Sequence, residues 1–284
     1  MAIRFPSSTR VALGGVGVAA AVAVSTLSAA PAQAIANGED VPDGRYGFVA
    51  DLEARGIPAV GGGTRDSACS AALIASEWLV SAGHCFHNGD PAGRTPTSGW
   101  VGPGQAVPYR VDVLLGQATR SGTGGQRRQV VYVQQVPIAG TDLALARLDR
   151  PVTDVAPVRL AVEPAASDEV VRLAGWGATA SPASITQRPN RMQTGLFTVT
   201  GTTTTNLTVR GRSPEATTSP CPYDSGAPYF RETPTGVRLV GIESGGPACP
   251  HDQDDMATRT DLAAVRSWVG GARLRGLAES TSPR

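Results

Sequence analysis

Glycine and proline punctuate this chain so densely that long regular elements have little room. With 34 glycines and 22 prolines in 284 residues, one run alone, residues 261–269, keeps apolar residues at helical spacing. Leu262, Val265, Trp268 and Val269 form that stripe, Asp261 is placed to cap it, and Gly270-Gly271 follow. Elsewhere the apolar residues fall in short strand-type runs: 48–52, 69–74, 78–82, 110–115, 129–136, 143–148, 170–173, 196–199, 207–209 and 237–242. Many short strands separated by turn signals predict an all-β barrel or sandwich with one terminal helix.

All 25 basic residues are arginine. Chemistry that requires lysine is thereby excluded: a Walker phosphate loop, a pyridoxal Schiff base, a Ser-x-x-Lys hydrolase. The 24 acids leave a formal charge of +1, which implies neither nucleic acid nor an anionic membrane as partner. Residues 1–34 read as a secretory signal peptide: Arg4 and Arg10, an apolar stretch over 11–27, then Ala32-Gln33-Ala34 as the cleavage site. The apolar stretch is short for a membrane span and glycines interrupt it. A Gly15-x-Gly17-x-x-Ala20 match to a dinucleotide fingerprint lies inside it and follows no strand, so it carries no weight. Export predicts an oxidising compartment, in which four cysteines form two disulfides.

The stretch 221–228, Cys-Pro-Tyr-Asp-Ser-Gly-Ala-Pro, presents Ser225 on a tight turn. Gly226 permits the backbone angles and Pro228 prevents a helix from continuing. Alone, Asp-Ser-Gly is an ordinary surface turn, and a serine hydroxyl needs a base to become a nucleophile. Three histidines are available: His84, His87 and His251. His84 alone reads as a polar residue beside a cysteine, and Asp142 as a turn aspartate before an apolar run. Their order discriminates. His84, Asp142, Ser225 runs base, orienting acid, nucleophile, whereas subtilisins place the acid first and α/β-hydrolases the serine.

With these residues in place the chain resembles the trypsin-like (chymotrypsin-family) secreted bacterial serine proteases from Ile35 to about Val269. Ile35-Ala36-Asn37-Gly38 resembles the family's mature N-terminus and Ser81-Ala82-Gly83-His84-Cys85 its histidine motif. Asp142-Leu143-Ala144-Leu145 matches the aspartate strand, Gly175-Trp176-Gly177 a structural strand, Asp224-Ser225-Gly226 the serine motif, and Ser244 with Gly246 the substrate wall. The resemblance implies two six-stranded antiparallel β-barrels with a C-terminal helix, a His84-Asp142-Ser225 triad, and an oxyanion hole from the N–H groups of Tyr223 and Ser225. It also implies disulfides Cys69–Cys85 and Cys221–Cys249, and an ion pair between the freed amine of Ile35 and Asp224. The expected organisation is a signal peptide (1–34), first barrel (35–150), linker (151–168), second barrel with helix (169–276) and flexible tail (277–284).

Several positions depart from the family pattern. Tyr223 stands where glycine is usual, Ala227 replaces a second glycine, and Gly245 replaces a tryptophan of the cleft. Residues 86–109 form a longer loop than usual. In the specificity pocket Ser219 takes the basal position, beside Ser244 and Gly246, while Asp255 falls on the opposite wall and predicts cleavage after arginine or lysine. The expected protein is a secreted, extracellular monomeric endopeptidase with no cofactor and no metal. Its expected partners are protein or peptide substrates and protease inhibitors; nucleic acid is not among them, nor a membrane after signal cleavage. The alternative is a non-catalytic homologue that binds a partner through the same cleft.

Overall fold

Each half of the chain supplies six strands that close on themselves. The first half gives β1 (Val49–Pro58), β2 (Thr64–Ala75), β3 (Trp78–Ser81), β4 (Arg110–Leu115), β5 (Gln126–Gln135) and β6 (Ala144–Leu148). They pair antiparallel in the order β1-β2-β3-β6-β5-β4, and β4 returns to β1. The second half gives β7 (Val170–Gly175), β8 (Gln193–Thr202), β9 (Asn206–Ser213), β10 (Pro228–Thr233), β11 (Gly236–Gly245) and β12 (Asp255–Arg259). Their order is β7-β8-β9-β12-β11-β10, closing on β7. The two rings share one topology, and closure leaves neither with a long free edge.

This computed structural model describes residues 1–2, 34–59, 62–86, 105–107 and 109–280. The described residues from Ala34 onward form one compact unit. The leader reading of 1–34 lies outside the described residues except for Met1, Ala2 and Ala34, and so does most of the 86–109 loop. At that loop's end, Gln105–Ala106 pair with β5.

Period-two alternation decides which side chains face inward. Leu207 and Val209 on β9, Phe197 and Val199 on β8, and Leu173 on β7 are buried in the second barrel with Tyr229 and Val240. The Phe197 and Tyr229 rings meet edge to face with centroids 5.4 Å apart. The barrels are sutured by polar contacts. Trp176 N–H donates to Ser70 Oγ at 3.0 Å, and Met192 N–H donates to the Ala118 carbonyl at 2.8 Å.

Two readings of the terminal helix, its end and its cap, are corrected. The helix α1 spans Ala263–Ser280, well past Gly270-Gly271. A glycine costs a helix only about 1 kcal/mol relative to alanine, and Ala272, Arg273 and Leu274 that follow are strong helix formers. The expected flexible tail therefore begins with helical residues 277–280, and 281–284 lie outside the described residues. Asp261 precedes the helix without capping it; its carboxylate accepts the Arg259 guanidinium at 3.1 and 2.6 Å. The expected linker also contributes structure, since Arg159–Leu160 run parallel to β11. Phe197→Ala should destabilise the protein by about 3–5 kcal/mol, the usual cost of deleting a fully buried aromatic ring. Urea denaturation followed by tryptophan fluorescence measures it.

Candidate active site

His84 sits on the 3-10 turn Gly83–Phe86 that follows β3. Asp142 lies just before β6, which pairs with β3, so strand pairing brings the two together. His84 Nδ1 lies 2.7 Å from Asp142 Oδ2, and His84 N–H donates to Oδ1 at 2.8 Å. The second barrel contributes too: the Ser244 hydroxyl donates to Asp142 Oδ2 at 2.6 Å. Burial alone would push the Asp142 carboxyl up. The hydrogen bond and charge of His84, the Ser244 hydroxyl and the His84 amide together hold it below the usual carboxylate range. A carboxylate so fixed keeps the proton on Nδ1 and leaves Nε2 as the basic nitrogen.

Ser225 stands on the turn between Cys221 and β10. Its carbonyl accepts the Ser70 N–H at 2.8 Å and lies 3.7 Å from Cys85 Sγ, next in sequence to His84. The turn can dock so closely because residue 226 is glycine: its φ is 85°, and a Cβ there would collide with the Ser70 carbonyl and the Ser81 hydroxyl. Disulfides Cys69–Cys85 and Cys221–Cys249 brace the histidine and serine segments. The N–H groups of Tyr223 and Ser225 find no acceptor among the described residues, whereas those of Asp224 and Gly226 donate to Cys221 and Glu243 carbonyls. Two unused donors two residues apart on one turn suit a developing oxyanion.

Asp224 is fully buried. Gly177 N–H donates to it at 2.8 Å and Cys221 N–H at 3.0 Å, but the arginines whose charge reaches it, Arg188 and Arg120, are both bound to Asp51. Burial outweighs these donors and pushes its carboxyl up to about 8. Ile35 is likewise fully buried, and Ala36 pairs through its backbone with Ser219 at 3.0 and 3.2 Å.

Beside Ser225 opens a cavity of about 310 Å³. Gly246 and Asp255 line it, as expected; Ser219 and Ser244 do not. Ser219 lies buried with its hydroxyl accepting His251 N–H at 3.2 Å, and Ser244 is engaged by Asp142. The cavity also contains Glu243, which sequence reasoning missed. Its signal was an acid at the end of an otherwise apolar run, just before Ser244. Glu243 accepts the Tyr229 hydroxyl at 2.9 Å, and burial together with the Asp255 charge holds its carboxyl well above the usual range. Neither Asp255 oxygen has a hydrogen-bond donor among the described residues. His251 Nε2 stands 3.2 Å from Oδ1 without the alignment of a hydrogen bond. Burial, then the charges of Asp254 and Asp224, push Asp255 up to about 8.

A profile of the Trypsin family matches residues 35–269. The chain therefore belongs to the trypsin family of serine-type endopeptidases. It is 25% identical over 258 residues to the bovine suppressor of tumorigenicity 14 protein homolog, covering 83% of this chain and 28% of that protein. Mouse transmembrane protease serine 11C is 25% identical over 256 residues, 83% of this chain and 52% of its own. Lectizyme of the fly Glossina austeni is 26% identical over 269 residues, 84% of each. The chain thus spans between a quarter and a half of the length of the two mammalian relatives.

The state of Asp224 sets a pH dependence. Its folded value is raised, so its contribution to stability is full below the unfolded value of about 3.9 and is lost as pH rises through about 8. In chain not cleaved before Ile35, wild type should lose a few kcal/mol relative to Asp224→Asn between about pH 5 and pH 8. Urea denaturation of both proteins at the two pH values measures the difference.

Proposed function

We propose that this protein is a secreted serine endopeptidase acting through His84, Asp142 and Ser225. The observation that carries the reading is the Asp142 carboxylate, which takes His84 Nδ1 and the Ser244 hydroxyl while the Ser225 turn is sutured beside Cys85. His84 Nε2 removes the proton from Ser225 Oγ as it attacks the scissile carbonyl. The oxyanion is held by Tyr223 and Ser225 N–H, the imidazolium protonates the leaving amine, and water then releases the acyl group by the reverse path. Ser225→Ala or His84→Ala should lower kcat roughly 10⁶-fold, and Asp142→Asn about 10⁴-fold, because the asparagine favours the wrong tautomer. Turnover of a peptide amide close to wild type in Ser225→Ala would end this reading and leave the cleft as a binding surface.

Activation follows from the buried acid. Cleavage after Ala34 frees the Ile35 ammonium to pair with Asp224, whose cavity otherwise holds an uncompensated carboxyl. Ala34 is as buried as Ile35, so the bond between them is cut before this segment docks. Pairing raises the ammonium above its unfolded value of about 8, so its contribution is full below that value and is lost as pH rises through the raised one. Active secreted protein should begin at Ile35 by N-terminal sequencing; full activity with any other start contradicts the pairing. Secretion is read from the leader and the two disulfides. Among the described residues no helix is long and apolar enough to cross a membrane. A bacterial source is read from the leader and the lysine-free composition, although the relatives above are animal proteins.

Specificity follows from Asp255 and Glu243. A cavity with two buried carboxyl groups and both Asp255 oxygens unpartnered suits a cationic side chain, so cleavage falls after arginine or lysine. An entering guanidinium stabilises ionised Asp255, and ionisation is easier at higher pH. The kcat/KM ratio of arginine to phenylalanine amides should therefore grow as pH rises through about 8. Taking the ratio cancels the titration of the triad. A preference unchanged by Asp255→Ser contradicts this assignment.

A further inference from the structure

Tyr223 carries a side chain where the backbone of the serine turn does not favour one. Its φ of 78° lies in the left-handed region, where an aromatic residue is strained and glycine is not. Tyr223 packs against the buried cluster of Ala36, Ala178, Cys221 and Cys249, and two further contacts hold it. The Arg188 guanidinium carbon lies 5.8 Å from the ring centroid, and the phenol donates to the Ala183 carbonyl at 3.1 Å.

Arg188 is itself fixed. Only 1% of its side chain is exposed. It donates to Asp51 Oδ1 and to Glu53 Oε1, each at 2.6 Å, both on β1 of the first barrel, and its Nε donates to the Ile185 carbonyl at 3.3 Å. Asp51 is held in turn by Arg120 at 2.8 Å, and Arg120 lies over the Trp176 ring at 5.7 Å and donates to its carbonyl at 2.7 Å. A continuous set of contacts therefore runs from a barrel wall to the ring of Tyr223. None of these groups takes part in the proton transfers described above. A buried guanidinium set between carboxylates also carries a desolvation cost that apolar packing would avoid.

We infer that Arg188, anchored by Asp51 and Glu53, is a positioning residue that holds the Tyr223 peptide in its left-handed conformation and so keeps its N–H available to the oxyanion. This rests on the reading of that N–H as an oxyanion donor; the Arg188 charge also reaches Asp224, an influence that persists when residue 223 is glycine. Such a role differs from general scaffolding in one respect. The anchor matters only while residue 223 carries a side chain, because glycine adopts this φ unaided.

The test is steady-state kinetics, with active-site titration, on wild type, Arg188→Met, Tyr223→Gly and the double variant. With Tyr223 present, Arg188→Met should lower kcat roughly tenfold with KM little changed. In the Tyr223→Gly background the same substitution should change kcat by less than about twofold. Arg188→Lys, which keeps a charge for Asp51 and Glu53, serves if Arg188→Met does not fold, and should give a smaller loss that likewise vanishes in the Tyr223→Gly background. Equal losses in both backgrounds, or losses confined to KM or to thermal stability, would overturn the positioning role. Failure of the protease reading is distinguishable, because wild type would then hydrolyse no substrate and titrate no active sites.

Discussion

The structure depends on one backbone contact, the Ser70 N–H donating to the Ser225 carbonyl at 2.8 Å. Ser70 belongs to β2 of the first barrel and Ser225 to a turn of the second, so this bond sets where the two barrels meet. It demands a glycine at 226, whose absent Cβ leaves room for the Ser70 carbonyl and the Ser81 hydroxyl. Once it is made, Ser225 lies beside Cys85, and His84 and Asp142 follow from the pairing of β3 with β6. Residues from separate barrels, Ser225 and the segment that carries His84, are thus brought side by side through the backbone. Rigid walls hold both, and rigidity at this scale is what positioning for catalysis requires.

Around that seam the protein buries more acids than a stable core would choose, and each is handled differently. Asp51 lies between Arg188 and Arg120. Asp142 gathers His84 and Ser244 and stays ionised. Asp224 has only backbone hydrogen-bond donors, so burial prevails and its carboxyl is raised. Glu243 and Asp255 face a cavity, and neither Asp255 oxygen has a hydrogen-bond donor among the described residues. Buried carboxyls without cations are costly as structure. Their concentration near one turn is what the proposed substrate pocket and activation pair rest on.

Much of this was legible in the sequence because the motifs keep their order and each has a local cause. The glycines at 83 and 226, the cysteines beside His84 and near Ser225, and the short apolar runs all signal without knowledge of the fold. Strands 228–233 and 255–259 escaped, since the first begins at a proline and the second, Asp-Met-Ala-Thr-Arg, has no apolar alternation and is placed only by its neighbours β9 and β11. Glu243 and Arg188 escaped for a related reason. Their meaning lies in what stands opposite them, residues far away in the chain. The common strand order of the two barrels was invisible too, because pairing order constrains inward positions only to be apolar, which many sequences satisfy.

The central claim is that Ser225 is the nucleophile, driven by His84. Its most direct test is to incubate the secreted protein with an organophosphonate serine label and map the adduct by peptide mass spectrometry. The account predicts one adduct per chain, on Ser225, formed by wild type and lost in His84→Ala. No adduct on natively folded, Ile35-initiated protein, or an adduct on another residue, would contradict it.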